Sequence, residues 1–187
     1  MRRLRQIRVV MLLVLILLGA LLPLTPGAAA PIPFTYAMPL PDGNDLYDVA
    51  YGNGLIVAVG NAGVILTSTD GITWTRQNSG VDTDLARVAY GNGRFVAVPT
   101  PWYGYPLTST DGVNWQRAKK AQSCAGLTYG NGYFLCLTGG QTALASKDGM
   151  EWERRTPITA YYDTFMAAAY AENRWVVAGD REAMFVS

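Results

Sequence analysis

The sequence predicts an all-β fold, a β-propeller of four-stranded blades, and three observations carry that prediction. A Tyr-Gly-Asn-Gly motif occurs as Tyr51–Gly54, Tyr90–Gly93 and Tyr129–Gly132, with a worn copy at Tyr170–Asn173, at spacings of 39, 39 and 41 residues. A second motif, Ser-x-Asp-Gly-x-x-Trp, runs in the same phase from Ser68 to Trp74, Ser109 to Trp115 and Ser146 to Trp152. Each unit then divides into four short apolar segments separated by turns. Repeats of about 40 residues with four strands are the signature of propeller blades.

Within a unit each element has its own warrant. Strand a is an apolar segment such as 46–51. The Gly-Asn-Gly turn tolerates positive φ at little steric cost, as two-residue hairpins require. Strand b is 55–59, with counterparts 94–98, 133–137 and 174–178. A looser loop leads to strand c at 64–68, and the Asp-Gly turn reverses the chain into strand d at the tryptophan. This places blades at about 45–80, 84–120, 123–157 and 162–187.

The chain of 187 residues carries 15 basic and 14 acidic side chains, no histidine and two cysteines. Its first eight residues hold four arginines and no acid, followed by an apolar run from Val9 to Leu22 and the small residues Gly27–Ala30. That order of basic, apolar and small residues reads as a secretory leader over residues 1–29, with repeats over 30–187. Fourteen apolar residues fall short of the roughly 20 that span a bilayer, so no stable membrane span is expected once the leader is removed. The expected location is secreted or periplasmic. Without the leader's four arginines, eleven basic residues face fourteen acidic ones, a net charge of −3. An acidic exported domain is not a nucleic-acid binder.

The last unit ends its strand c at Ser187, the position of Ser68, Ser109 and Ser146, and so holds no strand d of its own within this sequence. Counting back from Tyr51 places residues 33–38 one strand ahead of the first blade. These are expected to complete the fourth blade and close the ring, which removes open sheet edges. The rival reading is a fragment of a six- to eight-bladed ring.

The Ser-x-Asp-Gly-x-x-Trp motif resembles the Asp box of BNR-repeat, sialidase-like propellers. The whole repeat, with its Tyr-Gly-Asn-Gly turn, also resembles the photosystem II assembly and stability factor family over nearly all of the mature chain. In one respect all three copies depart from the usual Asp box: no residue separates Asp from Gly. The resemblance implies that Asp70, Asp111 and Asp148 tie down their turns. It also implies that Trp74, Trp115 and Trp152 pack between neighbouring sheets, and that the chain has an assembly or scaffold role.

Irregular loops on a rigid scaffold are where binding resides, and here they fall on the face of the b–c and d–a connections. The longer loop of the second unit carries Trp102, Tyr103 and Tyr105, and the longest d–a loop carries Tyr161 and Tyr162. Such aromatics stack on sugars or anchor a protein partner; the alternative is that they plug the channel. Acids gather on the same face: Asp42, Asp45, Asp82, Asp84, Asp163, Asp180 and Glu182. Asp45 and Asp84 occupy equivalent positions. Paired carboxylates support glycoside hydrolysis or hold calcium; solvated turn residues are the preferred reading. The arginine triad and tyrosine–glutamate pair of a sialidase are not assignable here.

Three smaller expectations follow. Asp48 and Arg87 share a column of strand a and suit an ion pair between blades. Cys124 and Cys136 form either a disulfide, which export permits, or two buried thiols. Gly52–Gly54 leads into a strand and offers no phosphate-binding helix terminus. No cofactor or metal is expected. The sequence thus favours a non-enzymatic propeller binding a protein or glycan, with a small glycoside hydrolase as the alternative.

Overall fold

A computed structural model of the chain describes residues 44–99, 104–120, 124–138, 142–155, 165–179 and 184–186. The expected leader and the strand expected at 33–38 lie outside them. Fifteen strands are present among the described residues. The first sheet holds β1 (Leu46–Gly52), β2 (Leu55–Gly60), β3 (Ile65–Ser68) and β4 (Thr75–Gln77). The second holds β5 (Leu85–Gly91), β6 (Arg94–Pro99), β7 (Leu107–Ser109) and β8 (Gln116–Arg117). The third holds β9 (Gly126–Gly130), β10 (Tyr133–Leu137), β11 (Ala143–Ser146) and β12 (Glu153–Arg155). The fourth is three-stranded, with β13 (Phe165–Ala171), β14 (Arg174–Gly179) and β15 (Met184–Val186).

Each sheet is an antiparallel meander in chain order, so the predicted a-b-c-d plan is the observed one. Strand d begins one residue after the tryptophan instead of at it, because Trp74, Trp115 and Trp152 still belong to the turn. The a–b turns spend their left-handed conformations on the third and fourth motif residues: Asn53 and Gly54, Asn92 and Gly93, Asn131 and Gly132. The worn copy keeps the geometry with Glu172 and Asn173, as a type I′ hairpin demands.

The first glycine of the motif has another task. A Cβ on Gly52 would lie 2.0 Å from the Tyr90 ring, and one on Gly91 would lie 2.1 Å from the Tyr129 ring. Gly130 meets Tyr170 in the same way. Each tyrosine therefore lies on the bare backbone of the preceding sheet, and the glycine is what lets the sheets approach.

The core sits between sheets. Val57, Val59 and Ile65 of the first sheet pack with Leu85, Val88, Phe95, Ala97 and Leu107 of the second, with Trp115 against them. Val96 and Val98 pack in turn with Cys124, Phe134, Cys136 and Leu144, and with Trp152. The two cysteines are joined as a disulfide with Cα atoms 5.4 Å apart. In the first, second and fourth sheets a bulge interrupts the start of strand a, as between Leu46 and Asp48.

Among the described residues nothing covers the outer face of the first sheet. Val49 is 59% and Tyr51 70% exposed, whereas Val88, the equivalent of Val49, is 5% exposed under the first sheet.

Asp48 does not pair with Arg87. Its carboxylate accepts the Val49 N–H (2.9 Å) and, across to the second sheet, the Val88 N–H (3.0 Å). The Arg87 guanidinium donates to the Ala86 carbonyl instead. The contact between blades is real, but a backbone amide is the partner: Val88 stands in register on β5 with its N–H directed away from β6, and such an N–H needs an acceptor.

Candidate functional site

The turn face is regular. Asp70 accepts N–H bonds from Ile72 and Thr73, both at 2.8 Å, and the Ser68 hydroxyl at 2.9 Å. Asp111 and Asp148 repeat the pattern with Val113, Asn114 and Ser109, and with Met150, Glu151 and Ser146. Each tryptophan closes its turn by donating its indole N–H to the glycine carbonyl, as Trp115 does to Gly112 at 3.0 Å. Asn92 joins this face across blades, donating to the carbonyls of Gly132 (2.8 Å) and Lys147 (2.9 Å) and accepting the Tyr129 hydroxyl (2.6 Å).

These bonds carry a pH dependence. The Thr73 and Ile72 amides hold the Asp70 carboxyl down at about 2. The Asn114 amide and carboxamide, then the Val113 amide, hold Asp111 lower still. For Asp148 burial acts in the opposite sense, yet the Glu151 and Met150 amides leave it below the usual range. A carboxyl lowered on folding contributes stability above its unfolded pKa of about 3.9, and that stability is lost as pH falls through the folded value. The urea midpoint should therefore drop between about pH 4 and pH 2. Asp70→Asn, Asp111→Asn and Asp148→Asn combined should flatten that drop; an equally steep drop in the triple variant would refute the assignment.

The opposite face gathers the b–c and d–a loops. The Asp84 carboxylate accepts the Ala62 N–H at 2.9 Å, tying the start of the second blade to the first b–c loop. The Asp45 carbonyl accepts the Asn61 N–H at 3.0 Å. Tyr47 stands beside both acids. Loss of hydration, then the charges of Asp84 and Asp45, hold its phenol above the usual range. Gly104, at φ 118°, lies against Pro99 and near Thr83. The adjoining Tyr105 ring is capped by the Arg117 guanidinium, 3.9 Å from its centroid, a cation–π contact.

Of the predicted binding aromatics, Tyr105 is on this face and fixed. Trp102, Tyr103, Tyr161 and Tyr162 lie outside the described residues, as do Asp42, Asp163, Asp180 and Glu182. Asp45 and Asp84 both lie close to Tyr47. Tyr47 and Arg117 were missed. Tyr47 is hidden in an apolar strand pattern, and Arg117 sits two residues after Trp115, where only strand register shows that it reaches Tyr105. Among the described residues no group of three His, Cys, Asp or Glu gathers as a metal-ligand set. Among them too, no helix is long and apolar enough to cross a membrane.

No protein-family model and no curated protein matches the sequence. Solved structures do share its architecture. YCF48 from Cyanidioschyzon merolae is similar over 80% of this chain and 54% of its own, with a TM-score of 0.61 and 18% identity. The computationally designed Ika4 protein is similar over 78% of this chain and 91% of its own, with a TM-score of 0.60 and 12% identity. The fold is that of a β-propeller. A structure of YCF48 bound to D1 peptide is also similar, at 15% identity and a TM-score of 0.59, over 77% of this chain and 50% of that one. The propeller described here thus spans about half the length of the two YCF48 chains and nearly all of the designed one.

Proposed function

We propose that the chain is an exported, non-enzymatic propeller scaffold that binds a protein partner on its irregular loop face. The observation that carries this is the state of that face. Its described aromatic, Tyr105, is held under the Arg117 guanidinium, and the Asp84 carboxylate is already engaged by the Ala62 amide. A rigid aromatic costs little entropy to bury and suits an anchor. Hydrolysis would first have to release Asp84 from the bond that holds two loops together. The likeness to YCF48, of which one structure is bound to D1 peptide, supports a peptide as the class of partner. The resemblance of the repeat to photosystem II assembly factors and to Asp-box propellers supports an assembly role, and a glycan remains the second ligand class.

The test presents the purified chain with peptide and glycan arrays, the D1 peptide among them. Saturable binding is expected, weakened at least tenfold by Tyr105→Ala, about 1.4 kcal/mol or more, with an unchanged melting transition. Turnover of a glycoside that Asp84→Asn abolishes would overturn the proposal.

A further inference from the structure

The Asp-Gly turns of the second and third blades are seated not on their own sheets but on the sheet before each. Gly112 lies against Leu55 and Val57 of the first sheet, so closely that a Cβ there would come within 2.5 Å of Leu55; Phe95 of its own sheet lies behind. Gly149 lies against Val96 and Thr108 of the second sheet, where the Thr108 hydroxyl donates to the Asp148 carbonyl at 3.2 Å and Asn92 to the Lys147 carbonyl. A seat therefore has five positions. In the second sheet they are Asn92, Arg94, Val96 and Thr108, with Phe134 contributed by the next sheet.

The third sheet repeats this seat position for position. Asn131, Tyr133, Leu135 and Ala145 stand where Asn92, Arg94, Val96 and Thr108 stand, and Trp175 of the fourth sheet replaces Phe134. Here they line an open cleft of about 410 Å³, with Arg155 at its rim. The seat of the second sheet sets the charge of Arg94 near the seated Asp148. In the third sheet Tyr133 takes that place, and the rim residue Arg155 is paired with Glu153 at 2.7 Å. Beside the cleft, β15 pairs with β14 and forms the edge of its sheet among the described residues.

We propose that this cleft is a docking site for an Asp-Gly-x-x-Trp turn of the repeat's own type, carried by a polypeptide segment from outside residues 1–187. Two occupied copies of the seat in the same molecule define what fits. The glycine must be bare, because a side chain there meets the Leu135 position. The asparagine donates to the turn's carbonyls. The inference is independent of the loop-face reading, which involves the other side of the blades.

The test uses the full chain and a fluorescent peptide copying residues 146–155. Saturable binding is expected, at least tenfold weaker when valine replaces the peptide's glycine. Asn131→Gly, which keeps the positive φ, should weaken it severalfold, and Ala145→Thr, which restores the hydroxyl of the second seat, should tighten it severalfold. In a second arm, residues 147–155 are copied directly after Ser187; the melting temperature should rise, and should not rise when that glycine is valine. Binding in trans or a rise in cis, cancelled by the valine form, supports the proposal. Neither effect, or equal effects with glycine and valine, overturns it. Self-association of the unmodified chain that Asn131→Gly abolishes would assign the cleft to a second copy and overturn it equally.

Discussion

Phe95→Ala should destabilise the protein by about 3–5 kcal/mol, a large part of the 5–15 kcal/mol that holds a domain together. Phe95 is fully buried where the first two sheets meet, among Val57, Val59 and Ile65 on one side and Leu85, Val88 and Leu107 on the other. Its ring leans on Tyr90 at 4.7 Å between centroids, and the Gly112 backbone lies over it. Neither sheet can sag into the space a truncation leaves, because both are held by their own ladders and by the seated turn. Poor relaxation is what brings large-to-small changes to the upper end of their range. Ile72→Ala, at a residue 74% exposed on a turn, supplies the contrast and should change stability by less than about 0.5 kcal/mol. Urea titration of the two variants at neutral pH decides the matter. A Phe95→Ala cost under 1 kcal/mol would mean that the sheets do not share a core at this point.

The architecture was legible because it is written twice, in two motifs sharing one period, and because turn chemistry is local. Asn53 and Gly54 take left-handed conformations that few other residues tolerate, so the hairpin shows in the letters themselves. What was misread depends on register between strands. Asp48 and Arg87 form a column of opposite charges in the sequence, and nothing there reveals that the Val88 amide faces away from its own ladder and toward the carboxylate. Gly52 was read with its own turn, since it adjoins Asn53; its use is to accept Tyr90 from the next sheet. The disulfide stays open in the sequence for the same reason, because only the register that sets Gly126 opposite Leu137 brings Cys124 within reach of Cys136. At the candidate site, equivalence between repeats picks out Asp45 and Asp84, which both stand beside Tyr47. It gave no account of Tyr47 or Arg117, whose roles come from loops that differ between blades.

The tyrosine–glycine contact supplies the other large effect. Gly91→Ala should cost about 2–4 kcal/mol, near or above the usual range for overpacking, although the position is extended backbone where alanine is otherwise harmless. The new methyl would fall 2.1 Å from the Tyr129 ring, and the ring has nowhere to go. Its hydroxyl donates to Asn92 at 2.6 Å and its face rests on Phe134 at 5.0 Å. The strain must therefore be taken by separation of the second and third sheets. A double-mutant cycle isolates the cause: in a Tyr129→Ala background the same substitution should cost at least 1 kcal/mol less, the coupling expected of residues in contact. Equal costs in both backgrounds would place the penalty in the backbone and not in the ring. The fourth sheet carries this experiment in its natural sequence. Ala171 stands where the other sheets have glycine, so a tyrosine cannot lie on it as Tyr90 lies on Gly52. The exposed Tyr51 thus has no equivalent seat on the fourth sheet. Any contact between the first and fourth sheets must be built differently from the three inside the stack.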